Sequence, residues 1–261
     1  MAKVDSRLAE RPEDGGLWYQ RAVLEFEHEE FLAAAEDFAK AEKFAPGENA
    51  VLWWQGRILD NLGKPLEAKV TFDTFLAQFP NHWGALASRA RVQMTLGSAE
   101  AALSDFRASL ANCPDAQPDL IQEVAQAFAS RNQVDEAIRV LETGLKRLGA
   151  IPSLQIKLLD VESDANRFNP ALARLDVIQK ASARPEPWMS KRAQILTQAG
   201  RLSEARAAWQ AMISHIHTLP AAERESHAIS LHEEQARRGL QALSAVSTAS
   251  ATSNPFTRLN P

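Results

Sequence analysis

The sequence is poor in residues that crosslink a fold, and Cys113 is the only cysteine among its 261 residues. A single cysteine cannot form a disulfide within the chain, and this usage is typical of proteins from a reducing compartment. We interpret Cys113 as a structural thiol rather than a nucleophile. The N-terminal stretch MAKVDSRLAERPEDGG contains no apolar run, so we predict a cytoplasmic protein unless a signal peptide has been removed.

Long apolar runs and an excess of basic residues are also missing. No window approaches the roughly 18 consecutive apolar residues of a transmembrane helix. Lysine and arginine total 29 against 33 aspartates and glutamates, a net charge of −4. This balance disfavours a general electrostatic attraction to nucleic acid or to an anionic membrane. The 45% apolar and 24% charged residues are nevertheless ordinary for a folded globular chain.

Catalytic and metal-binding motifs are absent from the sequence as well. There is no glycine-rich phosphate loop, no Gly-x-Ser-x-Gly motif and no Cys/His pair at a helix start. Four histidines gather near the C-terminal end, but their spacings differ from the i, i+4 pairs of helical metal sites: His215, His217, His227 and His232. We predict no enzymatic activity, no cofactor and no metal. A metal-binding protein or enzyme that uses this histidine-rich end is the alternative from another functional class.

What the sequence does contain is an internal repeat. Six times, an alanine precedes a bulky apolar residue by four positions: Ala34/Phe38, Ala68/Phe72, Ala102/Phe106, Ala137/Leu141, Ala171/Leu175 and Ala205/Trp209. Successive alanines are 34, 34, 35, 34 and 34 residues apart. Such a period is typical of stacked helical hairpins, each of which buries its apolar face against its neighbours.

Each unit is predicted to contain two helices joined by a short turn. Repeat one has LWYQRAVLEFEHE, a turn near residues 29–30, and then FLAAAEDFAKAEKFA. Gly63, Gly97 and Gly200 occupy the turns of repeats two, three and six, where a helix commonly ends. We expect the small alanine of the second helix to allow close approach of the first, while the bulky residue fills the space between them.

These residues resemble the tetratricopeptide repeat (TPR) family. Repeat one carries the family pattern at Trp18, Ala22, Phe31, Ala34, Phe38, Ala41 and Pro46. The resemblance covers about residues 17–217 and implies an all-α fold, a right-handed α-solenoid. It divides the chain into a partial repeat at 1–14, six repeats at about 15–217 and a capping helix at 220–246, followed by a flexible tail at 247–261. The usual leucine before the small residue of the first helix is replaced by Arg21, Gln55, Arg89 and Arg192, which leaves the packing of these helices open.

The resemblance also implies a function, because TPR proteins bind peptides or helices in a concave groove lined by their first helices. The corresponding positions predict a scaffold or adaptor that binds another protein, alone or within a larger assembly. We predict its partner-binding groove at Tyr19, Phe26, Trp53, Arg57, Arg91 and Met94, since aromatic residues and arginine often dominate interfaces. The clamp that captures chaperone C-termini is absent, because its positions hold Tyr19, Val23, Trp54, Gly84 and Ser88.

Two adjacent tryptophans, Trp53 and Trp54, pose a separate question, because neighbouring helix residues project about 100° apart. We assign Trp53 to the partner, with Arg57 one turn away as a cation–π companion. We assign Trp54 to the contact with the neighbouring repeat. The alternative is that both rings only pack between repeats. A second alternative for the whole chain is a self-associating structural protein that uses its cap or its convex face.

Overall fold

The computed structural model describes residues 1–47 and 51–252, and within these ranges it contains fifteen α-helices and no strand. The all-α prediction is therefore confirmed. In chain order the helices are α1 (Ala2–Glu10), α2 (Gly15–Glu27), α3 (Phe31–Phe44), α4 (Val51–Asn61), α5 (Pro65–Gln78), α6 (Trp83–Thr95), α7 (Ala99–Asn112), α8 (Pro118–Ser130), α9 (Val134–Leu148), α10 (Pro152–Asp164), α11 (Phe168–Ala181), α12 (Glu186–Gln198), α13 (Leu202–Thr218), α14 (Ala221–Arg224) and α15 (His227–Thr252). None of the helices in the described ranges is long and apolar enough to cross a membrane.

The turn inside each of the six helical hairpins contains one residue in the left-handed region. These residues are Glu29, Gly63, Gly97, Asn132, Asn166 and Gly200, with φ between 59° and 76°. In several turns the next amide donates to a carbonyl five residues upstream, as from Lys64 to Leu59 at 2.9 Å, which is the hydrogen bond of a Schellman motif. The predicted stops at the three glycines are confirmed. Repeats one, four and five end their first helices with glutamate or asparagine instead.

The alanine and its bulky partner are buried in every repeat. All six alanines have no exposed surface, and their partners are at most 4% exposed. In repeat two the first helix approaches so closely that a Cβ at Gly56 would lie 2.5 Å from the ring of Phe72. The alanine and its bulky partner are therefore buried in all six repeats, as the sequence pattern predicts.

The arginines that replace leucine in the first helices form ion pairs with second helices. Arg21 donates from Nε to Asp37 at 2.5 Å and from Nη1 to Asp5 at 3.1 Å. Arg89 does the same with Asp105 at 2.6 Å and Asp73 at 2.9 Å. Each carboxylate lies 16 residues before or after its arginine, on the second helix of the same or of the preceding unit. The ion pairs thus link consecutive repeats at the position where the leucine of the family pattern would pack.

The chain forms two compact units, one of residues 1–131 and one from Asn132 onward. The first unit contains α1–α8, and its largest fully buried side chains include Phe38, Phe72 and Phe106. The second contains α9–α15 and has a core cluster around Leu175, Trp209 and Ile216. The boundary falls at the turn inside the fourth hairpin, within the region that the sequence predicts as one solenoid.

The C-terminal helix α15 covers the last repeat of the second unit. Its residues Ile229, Ala236 and Leu243 are buried in the same cluster as Trp209. A Cβ at Gly239 would lie 2.4 Å from the Trp209 ring, so the two helices are in direct contact. The helix continues to Thr252, beyond the predicted end of the cap at residue 246. The remainder of the predicted flexible tail, residues 253–261, lies outside the described residues.

Candidate partner-binding site

The first helices of the unit 1–131 lie side by side and form one surface, which we call the first-helix surface (α2, α4, α6 and α8). Three contacts connect them in turn. The Trp54 indole donates to the Tyr19 hydroxyl at 2.7 Å, the Trp53 indole donates to Ser88 at 3.3 Å, and Arg91 pairs with Glu123 at 2.6 Å. Each contact joins residues about one repeat apart, so equivalent faces of successive repeats are aligned.

Trp54 lies between repeats one and two, as the sequence predicts. Its ring stacks on Phe38 at 5.6 Å and meets the edge of Phe26 at 5.2 Å. With 9% of its surface exposed, it joins the buried core of repeat one to α4. Because its indole nitrogen donates to Tyr19, the buried polar group of this ring is satisfied.

Trp53 contacts the next repeat rather than projecting freely from the surface. Its ring centroid lies 4.9 Å from that of His82, and Gly84 leaves space for it, since a Cβ there would lie 2.9 Å from the ring. The ring remains partly exposed. The residue that the sequence assigns to a partner therefore also packs between repeats two and three, which was the alternative interpretation of the pair.

Arg57 is the charged centre of this aromatic group. Its guanidinium carbon lies 4.4 Å from the ring centroid of Phe26, 4.5 Å from Trp54 and 5.4 Å from Trp53. The predicted cation–π contact with Trp53 is present, and two closer rings add to it. Burial lowers the pKa of Arg57, and the positive charge of Arg91 lowers it further while Glu27 opposes the shift. No carboxylate of the described residues lies within ion-pair distance of this guanidinium.

An open pocket of about 360 Å³ lies beside Arg57. It is lined by Phe26, Glu27, Glu29, Phe31, Trp54, Arg57 and Asn61. Among the predicted partner-binding residues, Phe26 and Arg57 line this pocket. Trp54, Phe31 and the two glutamates were missed, and most of these residues flank the turn between α2 and α3. Phe31 begins α3 two residues after Glu29, the left-handed residue of this turn.

The remaining predicted residues lie further along the first-helix surface. Arg91 makes a two-pronged contact with Glu123, with both N–O distances at 2.6 Å. This pairing was missed, although Glu123 follows Arg91 by 32 residues and has the opposite charge. Burial raises the pKa of Asp60 against the attraction of Arg91. Met94 is partly buried on α6.

The histidine-rich end of the second unit forms pairs with glutamate. His215 lies 3.2 Å from Glu186, and His217 lies 3.5 Å from Glu233. Across the part of the chain that the structure describes, no three or more histidine, cysteine, aspartate or glutamate side chains group as metal ligands would. On the first helices of this unit, Lys191 donates from Nζ to Asp160 Oδ1 at 2.8 Å.

Comparison with known proteins identifies the repeat. Residues 55–117, which span repeat two and repeat three, match the sequence profile of the tetratricopeptide repeat. This segment carries tetratricopeptide repeats. The matched TPR segment includes Arg57, Trp83 and Arg91, so half of the first-helix surface lies within it. A comparison with curated proteins finds no match.

Solved TPR structures share the fold at low sequence identity. A tetratricopeptide repeat protein from Parabacteroides merdae is 17% identical, with 89% of this chain and 93% of that chain covered and a TM-score of 0.56. PilF from Pseudomonas aeruginosa is 13% identical, with 88% and 99% covered and a TM-score of 0.57. YrrB, a TPR protein with an unusual peptide-binding site, is 13% identical, with 77% and 99% covered and a TM-score of 0.54. These likenesses confirm the TPR solenoid fold, and this fold is generally that of a protein–protein interaction scaffold.

Proposed function

We propose that this chain is a non-catalytic scaffold or adaptor that binds a peptide or helix of another protein on its first-helix surface. The observation that supports this function is the Arg57 guanidinium, which has no described acidic partner, above three aromatic rings and beside an open pocket. Arginine and tryptophan are the residue types that most often dominate binding energy at interfaces. In this proposal the binding residues are the predicted set Tyr19, Phe26, Trp53, Arg57, Arg91 and Met94, with Trp54 and Asn61 added because they line the pocket.

Similar structures fit the proposed function. YrrB is described as having a peptide-binding site. A chain from the structure of Naa15/Naa10 bound to HypK is also similar: it is 13% identical, with 94% of this chain and 43% of that chain covered and a TM-score of 0.60. A cytoplasmic location, suggested by the single cysteine, and a protein partner rather than a nucleic acid belong to the same proposal.

Site-specific photo-crosslinking tests the proposed surface. A benzoylphenylalanine at Asn61, which is exposed and lines the pocket, is compared with one at Val70, which is 64% exposed on α5. In cells that express the protein natively, we expect the Asn61 probe to crosslink a defined partner that the Val70 probe does not. Crosslinks from Val70 alone, or identical crosslinks from both positions, would contradict binding at the first-helix surface.

Self-association is a second candidate, and an exposed apolar row favours it. Leu32 and Leu66 occupy the same place in repeats one and two and are 71% and 69% exposed, with Val70 one turn further on. Light scattering over a concentration series tests this candidate. A dimer that Leu66→Glu dissociates would support it, and a monomer at every concentration would exclude it.

A further inference from the structure

Arg57 differs from Arg21, Arg89 and Arg91, three other arginines on the first helices of this unit. Arg21 and Arg89 each hydrogen-bond two aspartates, and Arg91 holds Glu123. Arg57 is partly buried, like Arg21 and Arg89, but its guanidinium contacts aromatic rings and no carboxylate within the described ranges. Removing a charge from water without a counter-ion is unfavourable. Within the described ranges no carboxylate hydrogen-bonds this guanidinium, so its N–H groups can serve an acidic ligand.

Building on the proposed function, we propose that the bound protein segment inserts a single glutamate or aspartate side chain into the pocket beside Arg57. The planar guanidinium suits a carboxylate, which can accept two parallel N–H hydrogen bonds. The guanidinium carbon lies 4.4 Å from the ring centroid of Phe26 and 4.5 Å from that of Trp54, and Phe31 and Asn61 line the pocket next to it. The aliphatic stem of the acidic residue packs against these apolar walls.

The charges around the pocket favour one carboxylate over a polyanion. Glu27 and Glu29 line the same pocket and are exposed, so repulsion grows with each negative charge on the ligand, and a phosphate chain or nucleic acid is repelled more than a single carboxylate. The surface also continues on both sides of Arg57, through Tyr19 of repeat one and Arg91 of repeat three. A segment that follows the row passes Arg57 in both directions, which favours an internal side chain over a chain terminus.

Nuclear magnetic resonance titration with three pentapeptides tests the proposed ligand. The first probe is acetylated and amidated Leu-Ala-Glu-Ala-Leu, the second has glutamine in place of glutamate, and the third has glutamine and a free C-terminal carboxylate. The readouts are the Arg57 Nε–H and the Trp54 indole N–H resonances of the full chain. We expect saturable shifts with the glutamate peptide and at least about tenfold weaker binding of both glutamine peptides, the effect of losing a charge-assisted hydrogen bond.

Variants of the protein separate this ligand from the general binding surface. Arg57→Gln should reduce binding of the glutamate peptide to the level of the glutamine peptide, whereas Arg7→Gln, with the same change in net charge on exposed α1, should not. If Arg57→Gln does not fold, the comparison of the glutamate and glutamine peptides on the unaltered chain still tests the acidic-residue proposal. Equal binding of glutamate and glutamine peptides, preference for the free terminus, or no binding would each overturn the acidic-residue proposal. Equal binding would leave the peptide-binding surface itself supported, and the crosslinking experiment tests that surface independently.

Discussion

His82 is a residue at which one proton affects the packing of two repeats. It is the N-cap of α6, and its ring Nδ1 accepts the Ala85 amide at 3.0 Å. The ring also contacts Trp53 at 4.9 Å and Phe75 at 5.1 Å. An acceptor nitrogen must be unprotonated, and burial lowers the pKa of this imidazole. Neutral His82 therefore supports both the helix start and the aromatic contact beside the candidate site.

We predict that the free energy of unfolding decreases as the pH falls below about 6.5, the ordinary histidine pKa. Because the folded pKa is lowered, the unfolded chain binds more protons between the two pKa values, so protonation favours unfolding there. His82→Asn should retain the cap and remove this part of the pH dependence. Urea unfolding of both proteins from pH 5 to pH 8 measures the difference.

His82→Ala is the matched control for this prediction. This substitution should remove the same pH dependence. It should also lower the free energy of unfolding by about 1 kcal/mol at every pH, since alanine cannot cap a helix. A difference between the unaltered chain and His82→Asn that is constant over the whole pH range would contradict the role of the proton.

At the scale of the helical hairpin, one residue in the left-handed conformation lies in the turn between the two helices of each repeat. Gly63 and Gly97 adopt φ values of 72° and 76° without steric cost, whereas Glu29 adopts 65° with a side chain. A non-glycine residue in this region is strained by about 1 kcal/mol, and asparagine tolerates it better. Glutamate tolerates this backbone conformation less well than the glycines and asparagines at the equivalent positions of the other repeats, so the turn of repeat one carries the most backbone strain.

Glu29→Gly should stabilise the protein by up to about 1 kcal/mol, because the strain at the turn is relieved. Asn166→Gly is the matched control in the second unit, and it should give a smaller gain. Thermal unfolding compares the two variants. A melting temperature that falls with Glu29→Gly would show that the glutamate side chain stabilises the turn more than its backbone conformation costs.

The ion pairs between adjacent repeats are a second feature at this scale. Arg89 connects Asp73 and Asp105, and Asp105 is 8% exposed. Although burial alone would raise the pKa of Asp73, hydrogen bonds from Lys69 and Arg89 lower it. The lowered value means that this carboxylate stabilises the fold above the ordinary aspartate pKa and loses that contribution in acid.

Replacing Arg89 by the leucine that is usual at this position should destabilise the protein by about 2 kcal/mol, because two carboxylates lose a charged partner. Adding Asp105→Ala and Asp73→Ala to Arg89→Leu should recover most of the loss, since no buried charge then remains unpaired. Chemical denaturation of the single and triple variants measures this coupling. Losses that simply add would argue against a coupled ion-pair group.

The hairpin scale is also where the sequence was most informative. The Ala/bulky pairs and the glycine turns follow from local geometry, so a fixed spacing was enough to predict them. The aspartates that pair with Arg21 and Arg89 lie 16 residues away on other helices, and only the packing of those helices brings them together. The position of Trp53 failed to follow from its helical projection for the same reason, because Gly84 of the next repeat creates the space that the ring occupies.

At the scale of the whole molecule, the chain combines a repeat array with a terminal cap. Stability in such arrays is approximately the sum of the repeats and their nearest-neighbour contacts. The last repeat has a neighbour on one side only, and α15 covers its other side with Ile229, Ala236 and Leu243. Trp209 and Met212 are buried in the same cluster, and Trp209 touches α15 at Gly239.

Weakening this cap should expose the end of the second unit before the first unit unfolds. We expect Ile229→Ala, which truncates a side chain that is 3% exposed, to cost about 2 to 4 kcal/mol in the second unit. Leu231→Ala is the matched control on the same helix, because Leu231 is 51% exposed and its loss should cost less than about 0.5 kcal/mol. Amide hydrogen exchange measured helix by helix distinguishes the units: exchange should accelerate in α12, α13 and α15, while α2 and α3 keep their protection. Equal acceleration in both units would show that the array unfolds as one cooperative block, in which case α15 stabilises the first-helix surface as well.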